Sequence, residues 1–541
     1  MENNNIFFKS EEENPSLILN LKPREYQLKI FETTKDKNTL VVIPTGLGKT
    51  LIAILLSIHR LSKYPASKII FLAPTRPLVE QHYQTYKKQL PELFADIQIF
   101  TGSVNAEKRK NLFNKADIIF STPQCISNDL KNSLYTLEEV SLLIIDEAHR
   151  CLKNYDYTKV VCYFKEQSRN QRILGLTASP GHEISKIREI CNHLDLDEIE
   201  VRSRDSPDVR PYLQHREFNK IEVSFPEEFS KIRSILKKIY EANVNELKSR
   251  DFLTVPDNKI TLLKLQSSLA ERATRGDFSA MHAMSYTAKA IKISYAIELL
   301  ETQTISGLYE YLKSLQKQAS ENKSRAVRSL VKDKDFNEAL LLINELLIRK
   351  IEHPKIQETA SIVEKEIKEN ASAKLMIFTQ FRETASSLFN KLSQINGINP
   401  SVFIGQAKKS NSKGISSGLN QKEQKEIIEK FRAGEINVLI CTAIGEEGLD
   451  IPEVSSVIFY EPIPSAIRKI QRAGRTARLA PGKLIILITK DTRDEIHHYA
   501  SSARERKMYK VINIVKEELK KLRESKNLDF NKDNAFNLTQ K

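Results

Sequence analysis

The sequence predicts an α/β protein with two doubly wound parallel-sheet domains and a mostly helical insertion between them. Between about residues 38 and 180, short apolar runs alternate with amphipathic segments, and the same alternation returns between about residues 373 and 490. Strands that alternate with helices in this way form parallel sheets with helices on both faces. Between about residues 225 and 370, apolar residues recur every three or four positions without strand-like runs, which predicts helices. The 541 residues suffice for about three or four domains.

The first α/β region contains six runs that we predict to be strands. They are rich in Ile, Val, Leu and Phe, and each ends in small or turn-forming residues: TLVVIPTG, KIIFLAPT, IQIFTG, DIIFSTP, SLLIIDEAH and RILGLTASP. Such runs are typical of strands that helices cover on both faces. Ligands of these sheets bind at the carboxyl ends of the strands, so the polar residues that follow the runs are the candidate functional residues.

The second α/β region and its flanks complete the predicted organisation. Its predicted strands are KLMIFTQ, PSVFIG, NVLICTAIG, SSVIFYEP and KLIILITK. Segments such as DFNEALLLINELLIRKIEH precede it, and a long charged helix begins at about residue 491. We therefore predict a first sheet domain over residues 1–205, a helical insertion over 206–365, a second sheet domain over 366–510, and a C-terminal helix with a frayed tail over 511–541.

Composition and charge limit the class of protein. The net charge is +15, from 84 Lys and Arg against 69 Asp and Glu, and the excess lies in the later two-thirds of the chain. This favours a polyanionic partner, although the interspersed acids weaken the signal. The five cysteines include no CxxC pair, which suits a reducing compartment. The N-terminus does not have the order of a secretion signal, and no apolar run approaches the ~20 residues of a membrane span. We expect a soluble cytoplasmic protein with no membrane partner.

The segment IPTGLGKT, residues 43–50, is the strongest local signal for nucleotide binding. Small residues between a strand and a helix let backbone N–H groups surround phosphates, and the helix N-terminus favours negative charge. Lys49 is expected to contact the β- and γ-phosphates, and the Thr50 hydroxyl is expected to bind Mg²⁺. Ile43 stands where the full pattern has glycine. The residues that would surround the phosphates are Pro44, Thr45, Gly46, Leu47 and Gly48.

A pair of carboxylates follows the fifth predicted strand, about 100 residues after Lys49. Hydrolysis of a nucleotide needs one carboxylate near the metal and another that polarises the attacking water. Asp146 suits the metal site, together with Thr50, and Glu147 suits the catalytic base. Such a pair alone is more often an ordinary solvated pair, but the phosphate-binding segment upstream on the same type of sheet favours the catalytic interpretation.

The motifs of the whole chain resemble those of a known family. PTGLGKT, APTRPLV, STPQ, DEAH, TASPG, TAIGEEGLDIP and QRAGRTAR occur in the order of a superfamily 2 DEAH-type helicase. KPREYQ, PTRPLVEQH, IGQA, QKEQ and FYEPIPSAIRKIQRAGRTAR are similar to the archaeal Hef and FANCM branch, related to the Dicer and RIG-I-like helicases. The resemblance covers about residues 20–510. Ile43 replaces the first glycine of the full loop pattern, which is usual in superfamily 2, and Ala477 stands where the last motif commonly has glycine. Neither change removes a charged or hydroxyl group.

The resemblance implies two RecA-like domains with ATP and Mg²⁺ between them. Arg24 and Gln27 are similar to the residues that recognise adenine, and Asp450 to a ribose contact. The resemblance also implies that His149 and Gln471 make contacts across the cleft between the two domains. It also implies that the hydroxyls of Thr177 and Ser179 couple the state of the cleft to domain position.

The segment QRAGRTAR provides three arginines on a predicted helix. Arg475 and Arg478 are three residues apart, so both could face the same side of that helix. The resemblance implies that these two are arginine fingers, which reach the γ-phosphate from the opposite domain. Hydrolysis would then depend on closure of the cleft, because transition-state charge needs stabilisation at the transferred group. An unrelated basic helix is the alternative.

The resemblance also implies that nucleic acid lies across the strand ends of both domains. The residues expected to contact it are mostly hydroxyl, amide and backbone donors, which suit sugar-phosphate contacts without base readout. In the insertion, where this branch carries a thumb-like domain, Lys237 and Lys238 belong to a basic cluster. The strand-end residues are Pro74, Thr75, Arg76, Thr101, Gly102, Thr122, Pro123, Gln380, Arg382, Gly405, Gln406 and Thr442.

Together these features predict an ATP-dependent DNA helicase or translocase that acts on branched DNA such as forks and Holliday junctions, in replication-fork repair. The resemblance implies a monomeric prokaryotic protein, with a sliding clamp or a separate nuclease as further candidate partners. One alternative is an RNA helicase or a double-stranded RNA-stimulated ATPase, which would share every ATPase residue. Another is a nucleic-acid-binding scaffold without ATPase activity. The presence of Lys49, Glu147 and Arg475 argues against the scaffold.

Two further patterns are not expected to be sites. Glu505, Arg506 and Lys507 imitate the core of the nuclease attached to some Hef proteins, but flanking acidic residues are missing. His497 and His498 are adjacent on a predicted helix, so their side chains diverge by about 100° and do not easily share a metal.

Overall fold

The computed structural model describes residues 21–91, 93–102, 104–405, 418–442, 451–476 and 481–538. Its strands are β1 (Thr39–Val42), β2 (Lys68–Leu72), β3 (Ile97–Phe100), β4 (Ile118–Ser121), β5 (Val140–Asp146), β6 (Ile173–Thr177), β7 (Glu198–Val201), β8 (Arg216–Val223), β9 (Leu375–Phe378), β10 (Pro400–Phe403), β11 (Val438–Cys441), β12 (Ser456–Phe459) and β13 (Gly482–Thr489).

The helices flank these strands and fill the segment between the two sheets. They are α1 (Glu25–Asp36), α2 (Lys49–Lys63), α3 (Arg76–Gln89), α4 (Ala106–Lys115), α5 (Pro123–Lys131), α6 (Asp156–Gln167), α7 (Ile184–His193), α8 (Glu227–Ser249), α9 (Lys259–Thr274), α10 (Phe278–Thr302), α11 (Ile305–Ser320), α12 (Arg325–Val331), α13 (Lys334–Ile348), α14 (Pro354–Glu369), α15 (Arg382–Leu392), α16 (Gln421–Ala433), α17 (Ala466–Ala473) and α18 (Arg493–Leu538).

The first sheet has seven parallel strands in the order β3-β4-β2-β5-β6-β1-β7. The six predicted strands of this region are all present, and the predicted fold class is confirmed. Strand β6 lies between β1 and β5, with Thr177 opposite Val42 and Leu176 opposite Asp146. The carboxyl ends of these three strands therefore meet at one edge of the sheet. The sheet is buried on both faces, as its apolar runs predict.

The second sheet has six parallel strands in the order β10-β11-β9-β12-β13-β8. The five predicted strands are present, but edge strand β8 was not predicted. Its sequence, REFNKIEV, mixes exposed polar residues with few apolar ones, because it pairs only with β13 at the edge of the sheet. Helix α14 also packs on this sheet, through Ile356 and Val363. The predicted insertion, 206–365, therefore contains elements at both ends that belong with the second sheet.

Helices α8 to α13 form the helical region between β8 and α14. Its two apolar clusters are separate from those of the sheets, one around Phe229, Leu300 and Phe336 and the other around Leu247 and Leu269. Within the part of the chain that the structure describes, every helix is too short or too polar to cross a membrane.

The C-terminal helix α18 joins the second sheet domain to the first. It follows β13 directly, yet Met508, Val511, Ile512 and Val515 are buried within the apolar cluster on one face of the first sheet. A bidentate pair between Arg188 of α7 and a glutamate later in α18 adds a polar contact at the same interface. Helix α18 thus physically links the two sheet domains outside the helical region.

A buried polar joint lies where the helical region, α14 and α18 meet. Lys355 Nζ lies 2.7 Å from Asp494 Oδ2, and both side chains are fully buried. Lys355 also donates to the Thr302 carbonyl at 2.8 Å, and the Thr489 N–H donates to Asp494. Removing one member of such a pair would leave an uncompensated buried charge, which typically costs about 3–5 kcal/mol.

Glu461, just after β12, belongs to the same joint. Its Oε2 accepts hydrogen bonds from Gln303 of the helical region at 3.4 Å and from Thr379 at 3.3 Å. Burial raises the pKa of Glu461 to about 7, against the opposing effects of Arg472 and Lys355 and with a smaller raising effect from Asp494. The folded protein therefore favours the neutral carboxyl group.

We predict that Glu461 makes folding stability fall as pH rises from 4.5 to about 7. Across this window the carboxyl group keeps its proton in the folded state but has lost it in the unfolded state. The free energy of unfolding is therefore highest below pH 4.5 and falls as pH rises through 7, by on the order of 3 kcal/mol. In the Glu461→Gln variant this dependence should vanish, with the largest gain above pH 7. Urea unfolding at several pH values measures it, with exposed Glu435→Gln as the control. Parallel profiles for wild type and Glu461→Gln would contradict the prediction.

Candidate functional site

The loop between β1 and α2 is built by two glycines with left-handed backbone conformations. Gly46 has φ +84° and Gly48 has φ +74°, a region that residues with a Cβ rarely adopt. A Cβ on Gly48 would also lie 2.4 Å from Gln27 Nε2. Glycine at position 48 is therefore required by both conformation and space, and the loop presents its backbone toward the N-terminus of α2.

Helix α1 holds this loop from behind. The Tyr26 hydroxyl donates to the Leu47 carbonyl at 2.7 Å, and Gln27 Nε2 donates to Leu47 O at 3.2 Å and Gly48 O at 3.4 Å. Gln27 Oε1 accepts from the Arg24 N–H, and the Arg24 guanidinium lies over the Tyr212 ring. Of the two predicted adenine-recognition residues, Gln27 contacts the loop directly, whereas Arg24 contacts Gln27 and Tyr212. Their contact with adenine stays a prediction.

Asp146 ends β5 at the same edge of the sheet as the loop. Its main-chain carbonyl accepts a hydrogen bond from the Tyr157 hydroxyl at 2.8 Å. Burial by itself would raise the pKa of Asp146, but a hydrogen bond from His82 and the electrostatic effects of His82 and Lys49 outweigh burial and lower it. The carboxylate is therefore held ionised. Lys49 Nζ donates to the Ile43 carbonyl at 3.3 Å, within the loop.

Glu147 follows Asp146 in a left-handed conformation, with φ +52°. His149 Nδ1 lies 3.1 Å from Glu147 Oε2 and 3.2 Å from the Thr177 hydroxyl at the end of β6. These two contacts of His149 lie within its own domain, and its contact with the other domain stays a prediction. Ser179 donates to the Met508 sulfur of α18 at 2.8 Å, so the TASPG segment contacts both the DEAH motif and α18.

Two buried polar atoms lie beside the loop. Thr45 Oγ1 and Glu147 Oε2 are buried without an aligned hydrogen-bond partner among the described residues. Buried polar atoms are normally paired, so such atoms at the edge of a phosphate-type loop fit a nucleotide and its water. Together with Lys49, the Thr50 hydroxyl and Asp146, they fit a triphosphate with a hard divalent cation.

The loop of the first domain touches the second domain. A Cβ added to Gly474, just after α17, would lie 1.5 Å from Thr45 Oγ1 and 2.8 Å from Thr45 Cβ. Gly474 has φ −78°, which any residue adopts, so the glycine is needed for this close approach alone. A cavity of about 540 Å³ lies beside the contact, with Pro44 and Thr45 on one wall and Ala473 and Gly474 on the other.

The two arginines on either side of Gly474 have different surroundings. Helix α17 ends at Ala473, so Arg475 lies in the turn beyond it, and the prediction that it continues on the helix is wrong. Arg475 is mostly buried and directly follows the residue that touches Thr45. Arg472 is fully buried over the Phe378 ring at 4.8 Å. Gln471 is buried on α17. The predicted sites Arg478 and Asp450 lie outside the described residues.

The predicted nucleic-acid residues of the first domain follow the carboxyl ends of β2, β3 and β4. There Arg76 lies close to Gly102, since a Cβ on that glycine would be 3.0 Å from Arg76 Nη2. In the second domain, Arg382 donates to the Gly405 carbonyl at 3.2 Å, beyond the ends of β9 and β10. Thus each sheet brings its own set together, namely Pro74, Thr75, Arg76, Thr101, Gly102, Thr122 and Pro123 in one, and Gln380, Arg382, Gly405 and Thr442 in the other. Gln406 lies outside the described residues.

A groove of about 830 Å³ separates α3 of the first domain from α16 of the second. Arg76 and Thr101, which are predicted to contact nucleic acid, line one wall. The wall formed by α16 was not predicted, although the segment QKEQ that begins this helix is part of the family resemblance. Polar and charged residues on that wall are Gln421, Gln424, Lys425, Glu429 and Arg432.

The two predicted lysines of the insertion differ in their surroundings. Lys237 is exposed on α8, whereas Lys238 lies 2.9 Å from Asp335 of α13. Arg233, which lies on the same helix one turn before Lys237, donates to the Asp491 carbonyl at 2.9 Å, at the junction with the second sheet domain. The triplet that imitates a nuclease core also has a local contact, because Glu505 lies 3.0 Å from Lys469 of α17.

One residue beside the site was not selected from the sequence. His82 Nε2 lies 2.9 Å from Asp146 Oδ2, in the interior of the first domain. The signal was present in PTRPLVEQH, which was used only for family resemblance. The sequence does not show which face of α3 its histidine occupies.

The chain matches three protein families along its length. Residues 24–187 match the family described as DEAD/DEAH box helicase, and residues 358–480 match the helicase conserved C-terminal domain. Residues 228–349 match a family described as "Putative ATP-dependent RNA helicase, helical bundle". The three matches follow the order of first sheet, helical region and second sheet.

Similar proteins come from archaea and eukaryotes. The chain is 37% identical to "Putative ATP-dependent RNA helicase MJ1505" of Methanocaldococcus jannaschii, over 91% of this chain and 61% of that protein. It is 31% identical to the ATP-dependent DNA helicase fml1 of Schizosaccharomyces pombe, over 87% of this chain and 57% of the relative. The chain thus spans about three-fifths of the length of these relatives. The crystal structure of the Pyrococcus furiosus Hef helicase domain matches with a TM-score of 0.67 and 39% identity, over 88% of this chain and 98% of that one.

We predict that Gly474→Ala lowers nucleotide hydrolysis without impairing folding. The alanine methyl group would collide with Thr45 and force the walls of the cleft apart, and a displacement of about 1 Å between reacting groups can lower turnover roughly a hundredfold. The backbone at position 474 is compatible with alanine, so thermal unfolding should be nearly unchanged. Steady-state ATPase assays and thermal unfolding measure the two effects. Full activity in this variant would show that the close approach is not needed.

Proposed function

The chain belongs to the Hef and FANCM branch of the superfamily 2 helicases, and we propose that it couples ATP hydrolysis to movement on branched DNA, as a helicase or translocase. The observation that carries this proposal is the contact between Thr45 and Gly474. It brings the phosphate-type loop of one sheet domain against the arginine-containing turn of the other. A change in the nucleotide at this contact would alter the fit between the two domains.

The first domain would supply binding and metal coordination. Lys49 would contact the β- and γ-phosphates, while the Thr50 hydroxyl and the Asp146 carboxylate would hold Mg²⁺. Bound Mg²⁺ would neutralise charge that develops on the phosphates. Glu147, buried beside this site, would accept a proton from the attacking water. The backbone of the loop would surround the phosphates, with Gln27 and Arg24 at its back.

The second domain would complete the site when the cleft closes. Arg475 would stabilise negative charge on the transferred phosphoryl group, and we propose the same role for Arg478 by resemblance. Gln471 would make a contact across the cleft with the first domain. Asp450 would contact the ribose. Because these groups belong to a separate sheet domain, hydrolysis would depend on the relative position of the domains.

Nucleic acid would lie along the carboxyl ends of the strands in both domains. The hydroxyl, amide and backbone groups there bind sugar and phosphate, so contacts would not depend on base sequence. Closure and reopening of the cleft would change the distance between the two sets and move the chain along a strand. The groove between α3 and α16 would extend this surface between the domains.

Branched DNA is the substrate that we propose, and the names of two relatives support DNA as the nucleic acid. Fml1 is named an ATP-dependent DNA helicase, and the chain also resembles the Fanconi anemia group M protein homolog of Mus musculus, with 31% identity over 91% of this chain and 26% of that protein. The helical region would grip a fork or a Holliday junction, with exposed Lys237 as one contact and Lys238 as another. Replication-fork repair is the process that such a substrate implies. A monomeric state, and a sliding clamp or separate nuclease as partners, stay predictions.

RNA is the second candidate substrate. The family that matches the helical region, and the relative from Methanocaldococcus jannaschii, both carry the name of an RNA helicase. The residues at the ATP site would be the same for either substrate. Only direct comparison of nucleic acids distinguishes the two.

We predict that Lys49→Ala reduces nucleic-acid-stimulated ATPase to background, because the phosphates lose their positive partner. Lys63→Ala, an exposed position at the end of the same helix, should retain wild-type turnover and serves as the matched control. Nucleic-acid binding without nucleotide should persist in both variants. Undiminished ATPase in Lys49→Ala would contradict the motor assignment.

We predict that forked DNA and Holliday junctions stimulate ATPase and are unwound better than linear duplex DNA or double-stranded RNA. The logarithm of the binding constant should fall linearly with the logarithm of the salt concentration over about 50–200 mM, because binding to phosphates releases counterions. ATPase and unwinding assays with each substrate at matched ionic strength measure this preference. Stronger stimulation by double-stranded RNA would favour the second candidate.

A further inference from the structure

We propose that His82 is a positioning residue, which orients the Asp146 carboxylate for Mg²⁺ and ties that orientation to helix α3 on the wall of the interdomain groove. The inference rests on the proposed function, because it concerns the same ATP site. It adds a physical connection between the groove and the metal-binding carboxylate. Through this connection, nucleic acid bound against α3 and the Mg²⁺-nucleotide would influence each other.

The contact between His82 and Asp146 is direct and buried. The Nε2 and Oδ2 atoms are 2.9 Å apart, and the His82 and Asp146 side chains are 10% and 7% exposed. An ionised carboxylate only accepts hydrogen bonds, so Nε2 donates. This bond occupies Oδ2 and leaves Oδ1 for the metal or its water. The Asp146 main-chain carbonyl accepts a hydrogen bond from the Tyr157 hydroxyl. Hydrogen bonds therefore hold both the main chain and the side chain of Asp146.

The imidazole ring cannot easily turn away from Asp146. It packs against Phe71 of β2, with ring centroids 4.5 Å apart and a tilt of 36°. Phe71 in turn stacks on Phe120 of β4 at 5.1 Å. The direction of the Nε2–H bond is therefore set by the packing of α3 on the sheet. A shift of α3 would change the hydrogen bond rather than be absorbed by free rotation of the ring.

The opposite face of α3 forms the groove. His82 directly follows Gln81, whose side chain lines the groove, and one helix of fourteen residues carries both. A ligand held between α3 and α16 would act on the same rigid element that aims His82 at Asp146. The walls carry charges of both signs, with Arg76, Glu80 and Lys88 on α3 and Lys425, Glu429 and Arg432 on α16.

A packing role alone would make different predictions from a positioning role. A carboxylate that binds a metal is commonly oriented by a hydrogen-bond partner behind it, and loss of that partner lowers metal affinity or activity about 10- to 100-fold. A histidine that only fills space could be replaced by phenylalanine without such an effect, since the aromatic packing on Phe71 would remain. His59, which packs on Phe31 in the same domain and lies away from Asp146, offers a matched comparison.

The test compares His82→Phe, His82→Gln and the control His59→Phe in the full chain. We expect His82→Phe to lower kcat about 10- to 100-fold with a much smaller change in the KM for ATP, and to raise the Mg²⁺ concentration needed for half-maximal turnover. His82→Gln, which restores an N–H donor, should recover most of the activity. His59→Phe should match wild type in all three measurements.

Binding measurements provide a readout independent of turnover. A nonhydrolysable ATP analogue should require more Mg²⁺ for binding to His82→Phe than to wild type. The coupling factor is the ratio of the affinities of wild type for single-stranded DNA with and without the analogue. By linkage, DNA changes the affinity for the analogue by the same factor. We expect that factor to move toward one in His82→Phe and to be restored in His82→Gln.

The outcomes separate this inference from the proposed function. Unchanged kcat, Mg²⁺ requirement and coupling factor in His82→Phe would overturn the positioning role while leaving the motor intact. Equal losses in His82→Phe and His82→Gln, with lowered thermal stability in both, would show that the histidine only supports packing and would also overturn it. Absence of nucleic-acid-stimulated ATPase in the wild-type chain would instead contradict the proposed function.

Discussion

The close approach of Gly474 to Thr45 is the constraint on which the arrangement of the two sheet domains depends. No side chain fits between these residues, because even a methyl group on Gly474 would overlap the threonine hydroxyl. The loop that precedes Lys49 and the turn that carries Arg475 are thus adjacent, although more than 400 residues separate them in the sequence. A ligand that requires groups from both walls is the simplest reason for a glycine whose backbone conformation does not itself require one.

The two sheet domains are also joined away from the cleft. Helix α18 begins at the buried Lys355–Asp494 pair beside the second sheet and ends its apolar contacts in a core of the first. Ser179, which follows β6 near the DEAH motif, bonds to Met508 of this helix. A movement of one sheet domain relative to the other must therefore bend α18, slide it, or shift the TASPG segment. This gives Ser179 a physical route to domain position beyond the cleft itself.

Most of the fold could be predicted from the sequence because the two sheets are buried on both faces. Their strands are continuous apolar runs, and the chemistry follows at the strand ends, as Lys49 and Asp146 show. Strand β8 was missed because an edge strand with exposed polar residues has no such run. The end of α17 was missed because Gly474 can also occur within a helix, and only its contact with Thr45 shows its role. Residues such as His82 depend on which face of a helix packs inward and what lies there.

Gln27 holds the loop before Lys49 by hydrogen bonds, and the same side chain is the one that we propose to recognise adenine. Its Nε2 donates toward the carbonyls of Leu47 and Gly48, and its Oε1 accepts from the Arg24 N–H. A glutamine amide carries two N–H donors and an oxygen with two lone pairs, so these bonds can use both N–H groups and leave one lone pair of Oε1 to accept from an adenine amino group. Gly48 is restricted to glycine partly by this same amide group, 2.4 Å from where a Cβ would be. A base that draws on Gln27 would therefore act on the conformation of the loop, which links nucleotide identity to the geometry at Lys49.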